Sequence, residues 1–189
     1  MIYNERGQYI ETIGTDGIYG SAIEFITNDI IALDIYNRYP DFYEPYGNMS
    51  FLVKDIDMTN RYQFGRTDYG GNFNYTRYYN LYSYDNKVYC NVNFEDYIFE
   101  LKADSVKAKY KIMYGPENVN NYPYAEKEEL YALQKEYPFY EGEFVELKDH
   151  TYLMFRGENG RELIYKHSTK ETYALSSFFN YRFIAYFFQ

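Results

Sequence analysis

Leu81-Tyr-Ser-Tyr-Asp-Asn-Lys-Val-Tyr-Cys-Asn-Val92 reads as a β-hairpin. Leu81–Tyr84 runs into the tight turn Asp85-Asn86 and returns as Lys87–Val92, with Val88, Cys90 and Val92 on one face and Tyr89 and Asn91 on the other. A third strand is expected over Tyr97–Lys102, with Tyr97, Phe99 and Leu101 on a common face. After the turn Ala103-Asp104-Ser105, a fourth is expected over Val106–Met113. In that last strand Val106, Ala108, Tyr110 and Ile112 alternate with Lys107, Lys109 and Lys111. Lysines at every second position guard an exposed sheet edge against pairing with another chain. Four consecutive antiparallel strands, the last of them edge-like, are the grammar of one β-propeller blade.

The same grammar extends in both directions. Toward the N-terminus, Ile23–Thr27, the turn Asn28-Asp29 and Ile30–Asp34 form one hairpin, and Phe51–Asp55 with Arg61–Gly65 form another. Toward the C-terminus, Phe144–Lys148, Thr151–Arg156, Arg161–Lys166 and Thr172–Leu175 supply four more strands. The first hairpin turn of each set falls at Asn28, Asp85 and Asp149. These intervals exceed the roughly 40–50 residues of a compact blade, and the surplus sits in two insertions, 37–49 and 116–140. Within the second, Ala125–Glu136 reads as a short helix between Pro123 and Pro138, with Glu126–Glu129 on its solvated face. The expected layout is an all-β, β-propeller-like single domain. It has a half blade over 1–13, blades over 22–65, 80–114 and 144–176, the helical insertion, and an apolar tail over 177–189. The tail run Phe183-Ile-Ala-Tyr-Phe-Phe188 has high β-propensity and no charge; either it pairs beside the N-terminal hairpin and closes a ring, or the chain is a fragment of a larger propeller and the tail is poorly placed.

Composition narrows the function. The chain has 189 residues, 46% hydrophobic and 25% charged, enough for one domain with a core. It holds 28 Tyr and 15 Phe but no Trp. Tyrosine suits half-buried strand faces, because the ring packs while the hydroxyl stays hydrogen-bonded. A net charge of −9 disfavours the basic footprint that nucleic acid requires and, for the same reason, anionic membrane surfaces. Met1–Gly7 has no basic run followed by an apolar one, so no signal peptide is expected in the sequence as given. The Phe178–Phe188 run is too short and too interrupted for a membrane span, which takes about 20 apolar residues.

The runs Ile2–Ile10, Tyr82–Tyr89, Asp96–Leu101 and Lys109–Gly115 resemble the C-terminal half of six-bladed β-propeller proteins of Bacteroides-type bacteria, distant relatives of NHL-repeat propellers. The resemblance covers approximately residues 1–175. It implies a propeller fold and an exported setting, periplasmic or at the cell surface, and it carries over no catalytic residues.

The residues themselves yield no catalytic, metal or cofactor site. Asp55-Ile-Asp-Met-Thr-Asn60 opens like a calcium loop, but the sixth and twelfth positions hold Asn60 and Arg66 where Gly and Glu are needed, so a polar hairpin turn is expected. His150 and His167 are the only histidines, have no partner at metal-ligand spacing, and are expected in turns or on the surface. Cys90 is expected as a packed thiol. Gly65, Gly70 and Gly71 lack the strand-to-helix context of a phosphate loop. The surface put forward for ligand binding is the segment Tyr69–Tyr79, where Tyr69, Asn72, Tyr75, Arg77 and Tyr78 offer stacking and hydrogen-bonding groups between two blades; the competing reading is that these aromatics pack between neighbouring blades. The expected function is a binding or scaffold propeller for a carbohydrate or protein partner, with self-association through open blade edges as a further expectation. The competing expectation is a polysaccharide-active hydrolase or lyase with an acidic channel site.

Overall fold

Ile30-Ile-Ala-Leu-Asp-Ile35 is apolar at five of six positions, so its strand needs cover on both faces. All six residues are buried. The computed structural model describes residues 2–3, 6–12, 20–35, 49–66, 81–92, 95–112, 121–122, 125, 127–137, 139–156 and 162–175. A short hairpin, β1 (Ile2–Tyr3) and β2 (Tyr9–Glu11), precedes three four-stranded antiparallel sheets. Sheet 1 comprises β3 (Gly20–Thr27), β4 (Ile30–Ile35), β5 (Met49–Asp55) and β6 (Asn60–Arg66). Sheet 2 comprises β7 (Leu81–Tyr84), β8 (Lys87–Asn91), β9 (Tyr97–Leu101) and β10 (Val106–Lys111). After helix α1 (Lys127–Glu136), sheet 3 comprises β11 (Phe139–Glu146), β12 (His150–Arg156), β13 (Glu162–Lys166) and β14 (Glu171–Leu175). Each sheet is a plain meander in which neighbours in sequence are neighbours in space.

The Asp85-Asn86 turn has both residues at positive φ, 50° and 56°, the left-handed pair that a two-residue hairpin requires and that Asp and Asn tolerate. In α1, Glu128 and Glu129 lie in the first turn and Lys135 in the last, complementing the helix dipole. Leu130 is the buried anchor of α1, packed with Ala125, Leu133 and Tyr137. The insertion expected over 116–140 ends earlier, because β11 starts at Phe139 and a register break between Tyr140 and Phe144 lets the strand run on to Glu146. The tail over 177–189 lies outside the described residues.

Sheet 2 is buried on both faces. Val88, Cys90, Val92 and Leu101 meet Ile30, Ala32, Phe51 and Val53 of sheet 1, with Phe64 and Phe99 edge to face at 4.8 Å. The opposite face presents Tyr89 and Ile98 to Phe144 of sheet 3. Phe144 is held edge-on by two tyrosines, Tyr82 at 5.4 Å and Tyr89 at 5.5 Å. β3 lies against β7 and β8, so the two sheets approach through their first strands.

β10 is the terminal strand of its sheet, as its lysines indicate. The expected common face for Val106, Ala108, Tyr110 and Ile112 is corrected by a bulge. Ala108 pairs with Phe99 and Tyr110 pairs with Ile98, leaving Lys109 as the extra residue. A single inserted residue flips the side chains beyond it. Val106 therefore packs toward sheet 1, while Tyr110 and Ile112 pack toward sheet 3.

Gly65 in β6 has φ +78°, and a Cβ placed there would sit 3.0 Å from Val92 Cγ2 and 3.3 Å from Ser50 Cβ. Gly65→Ala therefore combines left-handed strain with a clash at the junction of sheets 1 and 2. The expected loss is about 1–3 kcal/mol, read as a lower urea midpoint with an unchanged slope.

Candidate functional site

The residues put forward from sequence, Tyr69, Asn72, Tyr75, Arg77 and Tyr78, lie outside the described residues, in the segment between β6 and β7. The calcium-like run forms the β5–β6 turn. There, Asp57 Oδ1 accepts the Thr59 N–H at 3.0 Å, which holds the Asp57 carboxyl below its usual range, and Asp55 is paired with Arg61 at 2.6 Å. Both carboxylates are committed within the turn. Cys90 is buried, and burial followed by the nearby Asp34 charge pushes its thiol far above its ordinary range, so it is a packing group. Among the described residues, no group of three or more His, Cys, Asp or Glu side chains is arranged to hold a metal ion. No helix among them is long and apolar enough to cross a membrane.

Polar side chains converge instead between sheets 2 and 3. Glu146 closes β11 and Thr151 follows in β12; they are direct cross-strand partners around the turn, only 6% and 1% exposed. Thr151 is also paired with Tyr165 in β13, which brings the next turn and its His167 alongside. The Thr151 hydroxyl lies 2.7 Å from Glu146 Oε2 and 2.8 Å from His167 Nε2. From sheet 2, the Tyr110 hydroxyl donates to Glu146 Oε1 at 2.7 Å, and the Tyr82 hydroxyl donates to the Glu146 carbonyl at 3.1 Å. His167 stacks on Tyr110 at 6.3 Å, and its Nδ1 faces the Lys148 carbonyl at 3.3 Å.

The junction of sheets 1 and 2 is closed in the same way. The Tyr62 hydroxyl of β6 lies 2.6 Å from the Lys102 carbonyl and 3.0 Å from that of Ser105, in the turn between β9 and β10. Burial pushes the Tyr62 phenol up to about 12. Tyr89 rises to about 12 through burial and then the Glu146 charge. Tyr82 is raised mainly by burial, and Tyr110 is raised far by burial and its bond to Glu146. Tyr62, Tyr82 and Tyr110 thus have a structural use: each ring packs at a sheet junction while its hydroxyl ties one sheet to the next.

Sequence reasoning expected His167 in a turn or on the surface; it lies in the turn after β13, and its partners were missed. His150, expected in a turn, begins β12 opposite Lys166. The available signal was the hairpin register: once Glu146 pairs with Thr151 across the four residues 147–150, the two share a face. Chemically, the cluster joins sheets 2 and 3 through hydroxyl contacts to Glu146. It presents no nucleophile to solvent, since the Thr151 hydroxyl is buried and both Glu146 oxygens already accept hydroxyl contacts.

No family model matches the chain, and no curated protein matches it. Among solved structures, the crystal structure of a protein described as exported, from Bacteroides fragilis NCTC 9343, is similar over 92% of this chain, with a TM-score of 0.57 and 13% sequence identity. The chain spans 64% of the length of that protein. At this identity the likeness is one of fold.

Proposed function

We propose that the chain is a sector of a β-propeller acting as a binding or scaffold module for a carbohydrate or protein partner, without catalysis of its own. The observation that carries this reading is the serial stacking of three four-stranded meanders, with the middle sheet covered on both faces. Blades of a propeller pack in this manner and leave their connecting loops as the recognition surface. The likeness to the exported Bacteroides fragilis protein supports an exported setting, periplasmic or at the cell surface. A polysaccharide-active hydrolase or lyase would use two carboxylates about 5–10 Å apart on either side of a bound sugar. In the polar junction Glu146 has both oxygens engaged, which favours the binding reading.

The test is a thermal melt of the purified chain with a panel of glycans. Binding to the native state adds about 2.7 kcal/mol at a hundredfold excess over Kd. The expected result is a cooperative melt raised by one glycan class, with the shift abolished in Tyr75→Ala and Tyr78→Ala variants that still melt like the parent. If the two substitutions lower the melting temperature itself, those rings pack between blades and the recognition surface lies elsewhere. A cooperative melt that no glycan moves contradicts the carbohydrate reading and directs the search to a protein partner.

A further inference from the structure

We propose that the edge of sheet 2 around Lys107 and Lys109 of β10 binds a carboxylated saccharide, such as a hexuronate chain. The proposal rests on the carbohydrate-binding reading above and adds to it the class of sugar and a second surface. β10 is the terminal strand of its sheet, and Lys107, Lys109 and Lys111 are all exposed along about 13 Å of it. Among the described residues, none of the three has an ion-pair partner. The acids around them are engaged. Glu100, the cross-strand partner of Lys107, lies 3.9 Å from Lys102, Asp104 accepts from Ser105 Oγ at 2.9 Å, and both Glu146 oxygens take hydroxyl contacts. Charge of either sign would guard the edge. Here it is uniformly positive, in a chain with 28 acidic and 19 basic residues.

The lysines are also placed. The bulge takes Lys109 out of the pairing, and its ammonium lies 5.4 Å from the centre of the Tyr110 ring, while that of Lys111 lies 5.7 Å from the Tyr97 ring. Tyr110 is itself fixed from sheet 3, through its hydroxyl bond to Glu146 at 2.7 Å and ring contacts to Tyr165 at 5.9 Å and His167 at 6.3 Å. Lys107 and Tyr110 pair with Glu100 and Ile98, which are two apart in β9, so they share one face. Two cations thus flank one fixed, half-buried ring. The ammonium groups suit a carboxylate, and the ring suits the C–H face of the sugar that carries it. An added β-strand is disfavoured as the occupant, because the bulge breaks the ladder that it would extend. Glu95 and Asp96 border the Lys111 end, where the Asp96 carbonyl accepts the Ile112 N–H at 2.7 Å, so the carboxylate is placed at Lys107 and Lys109.

The test is calorimetric titration of the full chain with oligogalacturonate, its methyl ester and oligoglutamate. The expected result is binding of the acid sugar that weakens about tenfold or more for the ester, and equally for a Lys107→Glu, Lys109→Glu double variant. That is the loss expected from one charge-assisted contact. Charge reversal keeps the edge charged against strand pairing, so the variant is expected to melt like the parent. Equal binding of the ester or of oligoglutamate, or undiminished binding by the variant, overturns the proposal, as does no binding of the acid sugar. Those failures leave the carbohydrate reading standing, because Tyr75→Ala and Tyr78→Ala test it with the wider glycan panel. The same two variants are expected to bind oligogalacturonate like the parent, and loss of binding in them moves the acid sugar away from β10 and overturns the edge site. Should the double variant fail to fold, Lys109→Gln replaces it. Its affinity is expected to fall less steeply with rising salt than that of the parent, and an unchanged salt dependence overturns the proposal.

Discussion

Phe144→Ala is expected to lower stability by about 3–5 kcal/mol, the usual range for emptying a buried aromatic site. Phe144 is 4% exposed and is the side chain of sheet 3 gripped by both Tyr82 and Tyr89. Removing it leaves a cavity between two rings, one of which, Tyr82, is also held by its hydroxyl contact to the Glu146 carbonyl, so the site collapses poorly. Urea unfolding monitored by tyrosine fluorescence should show a reduced midpoint. Because sheet 3 depends on this contact more than sheet 1 does, hydrogen exchange should quicken first in β11 and β12. Phe144→Leu, which keeps most of the volume, should recover more than half of the loss.

The second large effect is alkaline. Tyr62 and Tyr89 have phenols raised to about 12, and Tyr82 and Tyr110 are raised as well, each principally by burial. An unfolded tyrosine ionises near pH 10. The protonated form is thus favoured in the fold, and its contribution is complete below about pH 10 and is lost as the pH rises toward about 12. Each such group adds a slope of up to about 1.4 kcal/mol per pH unit. The shares of Tyr62, Tyr82 and Tyr110, which are partly solvated, are reduced by screening. A stability profile that falls steeply between about pH 10 and pH 12 is expected. Tyr62→Phe and Tyr110→Phe should each flatten it, at the cost of about 1 kcal/mol near neutral pH for the lost hydroxyl contact. A profile unchanged in both variants would show that these hydroxyls do not tie the sheets.

The meanders were legible because their information is local. Asp85-Asn86 announces its turn through the conformations those residues tolerate, and Val88, Cys90 and Val92 announce their face by alternation. The lysines of β10 announce an edge. What was not legible depends on register and on distance along the chain. One extra residue at Lys109 sends Tyr110 to the opposite face from Val106, and nothing in a pattern of alternating lysines marks the bulge. Glu146 reads as an ordinary strand-end carboxylate until Thr151 is placed across from it and Tyr110 beside it. The Tyr62 contact to the Ser105 carbonyl spans 43 residues and uses a backbone acceptor, which has no sequence signature at all. The candidate ligand surface at Tyr69–Tyr78 remains a reading of sequence, lying outside the described residues.

The central claim is that the three sheets stack in series, with sheet 2 between the other two. Nuclear Overhauser measurements on aromatic protons test it directly, because three ring pairs define both junctions: Phe64 with Phe99, and Phe144 with Tyr82 and with Tyr89. A serial stack gives cross-peaks for all three pairs in one folded species. Cross-peaks at one junction with none at the other would contradict the serial stack, and with it the propeller reading.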